Sequence, residues 1–163
     1  MNRLVAAVTA VALVLVTSLA GIGAWLLARH SGPSHPEISA YSHGHLTRVG
    51  PYFYCNVLNF NDCQNPQTQG RLAVNDRDPV QLSVPAEIGA APWRLMLVYE
   101  NPVDATSAVF RPNTRLAVTI PTVDRQRGKL QGFAVQLLTL GVDPAGELRE
   151  LPHAEWSVHT TWN

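Results

Sequence analysis

From Leu4 to Ala28 no residue is charged, and the run is almost wholly Val, Ala, Leu, Ile and Gly. Nothing else in the chain limits its fate so strongly. At a helical rise of ~1.5 Å per residue these 25 positions reach ~37 Å, against a bilayer core of ~30 Å. Arg3 stands on one side of the run and Arg29 with His30 on the other, and Trp25 falls near the second boundary, where an amphipathic ring is favoured. The expectation is a single transmembrane anchor or uncleaved signal segment over residues 1–30, holding the plasma membrane through residues 4–28. The alternative is a signal cleaved after Ser18-Leu19-Ala20 and a secreted product. The apolar run continues through Leu27, past what a cleavage site requires, and this favours the anchor. No cysteine lies near its end, so a lipoprotein anchor is excluded.

Basic residues flank the run on both sides, so charge does not orient it. Cysteine usage does. Cys55 and Cys63 are the only two cysteines, with seven residues between them. Such a pair behind an export-type segment reads as a local disulfide formed in an oxidising compartment. The N-terminus is therefore expected in the cytoplasm and the C-terminal part facing the cell wall or periplasm.

Residues 31–36, S-G-P-S-H-P, read as a linker, and residues 37–163 as one extracytoplasmic β domain. Turn formers recur every eight to fifteen positions there, the spacing of a β-sandwich, and no long helical periodicity survives the prolines and glycines. Strands are expected over Glu37–Thr47, Tyr52–Leu58, Leu72–Val74, Val80–Val84, Trp93–Glu100, Arg115–Ile120, Leu130–Leu140 and Trp156–Trp162. The first two would pair about the turn Val49-Gly50-Pro51, and a polar loop, Asn59–Gly70, would curl Cys63 back to Cys55. Trp93, Leu95, Leu97 and Tyr99 alternate onto one face, and Leu130–Leu140, apolar on both faces, should be central. An all-β, immunoglobulin-like sandwich of about seven or eight strands follows, without the inter-sheet Cys…Trp…Cys spacing of antibody domains. A small β-barrel is the alternative.

Candidate chemistry is sparse. His43 and His45, two apart on an expected strand, would place both imidazoles on one side with Tyr41, a start toward a copper or zinc site. A third ligand would have to come from His35, His153, His159 or a carboxylate, none at a dedicated spacing. Asp76 and Asp78 make an incomplete calcium loop. Arg125-Gln126-Arg127-Gly128-Lys129 is a basic turn able to meet anionic headgroups or acidic polymer, though a solvated hairpin tip explains it as well. Beyond the membrane run ten basic residues face twelve acidic ones with no basic patch, so nucleic acid is not expected as a partner. There is no G-x-S-x-G, no glycine-rich phosphate loop and no nucleophile–base spacing, so neither an enzyme nor a cofactor is expected.

Four stretches carry a resemblance: H-G-H-L-T-R-V-G-P-Y-F-Y-C-N-V-L (His43–Leu58), P-W-R-L-M-L-V-Y-E (Pro92–Glu100), F-R-P-N-T-R-L-A-V-T-I-P-T-V-D (Phe110–Asp124) and P-H-A-E-W-S-V-H (Pro152–His159). Together they resemble a family of actinobacterial membrane or envelope proteins, domain of unknown function 2771, found in mycobacteria and relatives. The resemblance implies a mycobacterial-type envelope as the setting and brings no activity or catalytic residue with it. The functional expectation is a membrane-anchored, non-enzymatic binding or scaffolding module, with another envelope protein as its candidate partner. The alternatives are metal binding through His43 and His45, or a lipid or small-molecule carrier.

Overall fold

In the computed structural model the described residues are 3–30, 35–101, 105–142 and 146–162, with side chains of the first helix described over 13–26. The chain divides into two units, Met1–Ser34 and His35–Asn163.

The first unit is one helix, α1 (Arg3–His30), which takes in the whole apolar run. No proline interrupts it, and the Thr17 hydroxyl donates back to the Leu13 and Val14 carbonyls, so this polar group is satisfied inside the helix. Leu13, Leu15, Leu19, Ile22 and Trp25 are all more than half exposed. Among the described residues no helix is long and apolar enough to cross a membrane.

The second unit begins with a hairpin. β1 (Ile38–Ser42) and β2 (His45–Val49) are joined by His43 and Gly44, both at positive φ (44° and 79°), as a two-residue hairpin turn demands. The expected single strand Glu37–Thr47 is thus two strands folded on each other. The chain then crosses between sheets at Gly50-Pro51, so the expected pairing of this segment with Tyr52–Leu58 does not occur. β1 pairs with β2 and β6 instead.

The remaining elements are β3 (Phe53–Asn56), β4 (Asn59–Gln64), β5 (Gln69–Val74), β6 (Val80–Ser83), the single-turn α2 (Ala86–Gly89), β7 (Trp93–Tyr99), β8 (Thr106–Phe110), β9 (Ala117–Ile120), β10 (Val123–Asp124), β11 (Gly128–Val142) and β12 (Leu148–Trp162). They make two sheets and no closed barrel. The smaller runs β2-β1-β6-β9; the larger runs β4-β3-β12-β11-β7-β8, with β10 on β11 and β5 parallel to β12. The twelve strands among the described residues exceed the seven or eight expected, because the β1–β2 hairpin was merged and β4, β8 and β10 show little apolar alternation.

Alternation dictates the core. Trp93, Leu95 and Tyr99 of β7, Phe133, Val135 and Leu137 of β11, and Trp156 and Val158 of β12 point inward from the large sheet. They meet Ile38, Ala40, Val49, Val80, Leu82 and Ile120 of the small one. The buried Trp156, Trp93 and Tyr99 and the part-buried Trp162 hydrogen-bond through their polar tips: Trp156 Nε1 donates to the Pro36 carbonyl (2.7 Å), Trp93 to Arg115 (3.3 Å), Trp162 to Leu130 (2.9 Å), and the Tyr99 hydroxyl to Pro121 (3.0 Å). The bond to Pro36 fastens the end of the expected linker onto the sandwich; its residues 31–34 lie outside the described ones.

β11 is central, between β12 and β7, as its two-sided apolar pattern predicts. β12 starts eight residues earlier than the Trp156 expected, at Leu148, and runs through Pro152. A proline is tolerated there because the register slips: Leu137 faces Ala154 while Leu138 faces Pro152, leaving His153 as the extra residue of a bulge.

Candidate functional site

The expected ligand pair is separated by the hairpin. His43 sits in the turn, with Nδ1 2.9 Å from Asp78 Oδ2, while His45 opens β2 opposite Ser42. Asn75 donates through Nδ2 to the same Asp78 oxygen (2.9 Å), and its Oδ1 accepts from the Arg77 and Asp78 amides. The Asn75 bond, followed by that from His43, holds the Asp78 carboxyl below its ordinary pKa. Tyr41 accepts from the Gly44 amide through its hydroxyl (3.1 Å). These contacts knit the tip of the β1–β2 hairpin to the 75–78 turn. Asp76 lies 3.9 Å from Arg77 and takes no part in the Asn75 and His43 contacts of Asp78. Among the described residues no three His, Cys, Asp or Glu side chains gather as a metal site.

The basic turn is similarly occupied. Asp124 accepts from the amides of Gln126 and Arg127, Arg127 reaches the Thr106 hydroxyl (3.3 Å), and the Lys129 ammonium lies 4.9 Å from the Trp162 ring centroid. Two of its three cations are thus turned onto the fold.

Cys55 and Cys63 form the disulfide, facing each other across β3 and β4. Beside it rings are stacked. His35 lies 4.4 Å from Tyr54 in a near-parallel stack and places Nε2 2.9 Å from Gln64 Oε1. Tyr54 meets His153 (6.1 Å) and Trp156 (6.3 Å) edge-on. His153 is 5% exposed, and its Nδ1 has no hydrogen-bond partner. Burial pushes its pKa below the ordinary histidine value, opposed by a backbone hydrogen bond at Cys55. A cleft of about 360 Å³ opens where His35, Tyr54, Asp62 and Gln64 surround the disulfide.

A second concavity, about 310 Å³, lies on the outer face of the large sheet across β7, β11 and β12. Its floor is short side chains, Gly132, Ala134 and Ser157, with Met96, Val98, Gln69, Gln136, Glu155 and His159 around them. Gly132 is required by the backbone itself: a Cβ there would stand 2.7 Å from the Val158 carbonyl oxygen. Gln69 donates to the Ser157 hydroxyl (3.3 Å) and Gln136 to Glu155 (2.9 Å). Glu155, Ser157 and His159 alternate onto this face at a backbone spacing of ~6.6–7 Å from one to the next. The groove therefore offers donors, acceptors and apolar surface. Sequence reasoning missed it. Its only trace is that Met96 and Val98 alternate against the buried Trp93 and Leu95.

Residues 31–161 match the family described as protein of unknown function (DUF2771). The chain belongs to the DUF2771 family. This DUF2771 chain is 65% identical over 158 residues to the uncharacterized protein Mb0899c of Mycobacterium bovis, covering 97% of this chain and 98% of that one. The same identity and coverage hold for the uncharacterized protein Rv0875c of Mycobacterium tuberculosis. No solved structure matches the DUF2771 chain.

Proposed function

We propose that this DUF2771 protein is a non-enzymatic binding or scaffolding module of the cell envelope, held at the plasma membrane by α1 with its β domain on the outer side. The groove on the outer face of the large sheet carries the reading. It is concave, with Met96 and Val98 as apolar surface and Gln69, Gln136, Glu155, Ser157 and His159 as polar groups converging on it, a make-up suited to holding a ligand. The Cys55–Cys63 disulfide supports an oxidising compartment, and the uncharged run inside α1 supports the anchor. An immunoglobulin-like use of exposed sheet faces and loops fits this arrangement by analogy of fold.

The test is photo-crosslinking of the full-length protein in native membranes, with the photoreactive residue at Val98 in the groove and, as a control, at Leu46 on the small sheet. A reproducible adduct from Val98 that Leu46 does not give is the expected result. No adduct from Val98, or the same adducts from both positions, refutes the groove as the binding surface. Labelling an Asp76→Cys variant in intact cells with an impermeant maleimide tests the topology separately, and absence of labelling would refute the outward-facing domain.

A further inference from the structure

The two ends of the β domain differ. β12 runs from Leu148 to Trp162, and its pairings set the level of the turns around it. At the Trp162 end lie the turn after β5, since Trp162 faces Val74, and the β10–β11 turn, since β11 runs antiparallel to β12 from Gly128. Those turns read Asn75-Asp76-Arg77-Asp78 and Asp124-Arg125-Gln126-Arg127, and His43 of the β1–β2 turn joins them through Asp78. This end is charged. At the Leu148 end the β11–β12 hairpin exposes Leu140, Val142 and Leu148 on one face, with Val142 opposite Leu148. β3 is antiparallel to β12, Tyr54 opposite Ala154, so its turn into β4 points to the same end and exposes Val57, Leu58 and Phe60. Leu58 is 95% exposed, and its position is fixed: the disulfide ties β3 to β4 behind it, and Asn56 Oδ1 accepts from its amide (3.0 Å). Apolar residues scattered singly over a surface are ordinary, whereas six gathered on two neighbouring hairpins mark a contact surface.

The chain also enters the β domain at this end. His35 stacks on Tyr54, the Pro36 carbonyl accepts from Trp156, and β1 then runs to the His43-Gly44 turn at the charged end. Upstream, only residues 31–34 stand between His35 and His30, the last residue of α1; five steps of chain at ~3.6 Å each reach at most ~18 Å. We infer that the β3–β4 and β11–β12 hairpins are a bilayer-docking surface, whose aliphatic side chains sit in the interface of the outer leaflet and keep the charged end away from it. The inference rests on the reading of α1 as the membrane anchor. It is the tether that selects lipid as the occupant: an anchored α1 keeps the end of the domain to which it leads within a short reach of the bilayer, and that is the end with the exposed aliphatics. Charge limits the depth. In sequence the turn between β11 and β12 includes Asp143 and Glu147, while Glu147 meets Arg149 (3.3 Å) and Glu150 meets Arg94 (3.0 Å), so the hairpin rests at headgroup level and does not enter the hydrocarbon core. Arg111 and Arg115 follow β8 at the same end, where guanidinium groups suit phosphate oxygens.

The experiment uses the full chain with its native disulfide intact, reconstituted in vesicles of phosphatidylcholine and phosphatidylglycerol. A small fluorophore is attached at Leu58→Cys, Leu148→Cys, Asp76→Cys at the charged end or, inside α1, Val16→Cys, and nitroxide-bearing lipid is the quencher. Quenching at positions 58 and 148 should be at least about threefold stronger than at 76, alongside strong quenching at 16. Adding Leu148→Asp to the Leu58→Cys chain, or Leu58→Asp to the Leu148→Cys chain, should lower it about twofold, because the two hairpins hold one surface. Quenching at 16 with no more at 58 and 148 than at 76 overturns the docking and leaves the anchor standing. Indifference to both charged substitutions, in chains that melt normally, overturns it too. No quenching at 16 overturns the anchor, and the docking falls with it.

Discussion

His153 should make the β domain lose stability in mildly acidic solution, with a sign and size set by its surroundings. Its ring is 5% exposed at the β12 bulge, with Nδ1 unpartnered and burial holding its pKa below the ordinary histidine value of 6.5. Above that value the ring is neutral in both the folded and the unfolded chain and contributes no pH dependence. Below it the unfolded chain takes up a proton that the folded one refuses, so stability falls until pH reaches the lowered folded value, and then levels off. Within that window one such group costs up to ~1.4 kcal/mol per pH unit. The carboxylates with lowered pKa, Asp78 and Asp124, lose their contribution only as pH falls below 3.8, so they do not confuse the reading. The assay is urea unfolding of the full-length protein followed by tryptophan fluorescence, which the buried Trp93 and Trp156 report, at steps from pH 7.5 to 5. His153→Gln removes the titrating ring, and its stability should fall more gently with acid than that of the parent. Parallel curves for the two chains would refute the argument, whatever their vertical offset.

Opening the disulfide with Cys55→Ser should cost ~2–3 kcal/mol, the loop-closure value for so short a ring, and expose the Asn59–Gly70 segment to protease; unchanged cleavage there would count against the pinning. Gly70→Ala should destabilise by ~1–3 kcal/mol through overpacking against Val49, and Val49→Ala in the same chain should restore part of it, measured as a double-mutant cycle in urea. Trp156→Ala should cost ~3–5 kcal/mol, since it empties the core centre and leaves the Pro36 carbonyl without its indole donor; a change under 1 kcal/mol would show a core less dependent on β12 than its burial implies. Calorimetry with copper or zinc should find nothing tighter than about 10 µM, because His43 is engaged by Asp78 and no third ligand gathers there among the described residues; a tighter site abolished by His43→Ala would refute that.

What could be read along the chain was whatever alternation writes plainly. Trp93-Leu95-Tyr99, the two-sided run in β11 and the alternation from Trp156 to Trp162 each placed a core strand, because burial on a pleated sheet obliges every second residue to be apolar. His43-Gly44 was misread because a two-residue turn needs only two positive φ angles, and a histidine in that conformation looks like any strand residue in one dimension. The metal expectation rested on that misreading, since only an extended chain sets residues two apart on the same side. Pro152 hid the first half of β12, as the bulge that accommodates it is a property of the pairing with β11. The groove was invisible for a related reason. Met96, Ala134 and Ser157 come from three strands, and only the register of those strands makes them neighbours.

The placement of β12 has a consequence for when the sandwich can exist at all. This strand pairs with β11, β3 and β5, so three of its neighbours wait on residues 148–162 for their hydrogen bonds, and Trp156 waits with them. Until they are in place β5 has no strand partner, and the β3–β4 pair stays apart from β11, β7 and β8. The sandwich therefore closes last, with the residues that the ribosome releases last among the described strands.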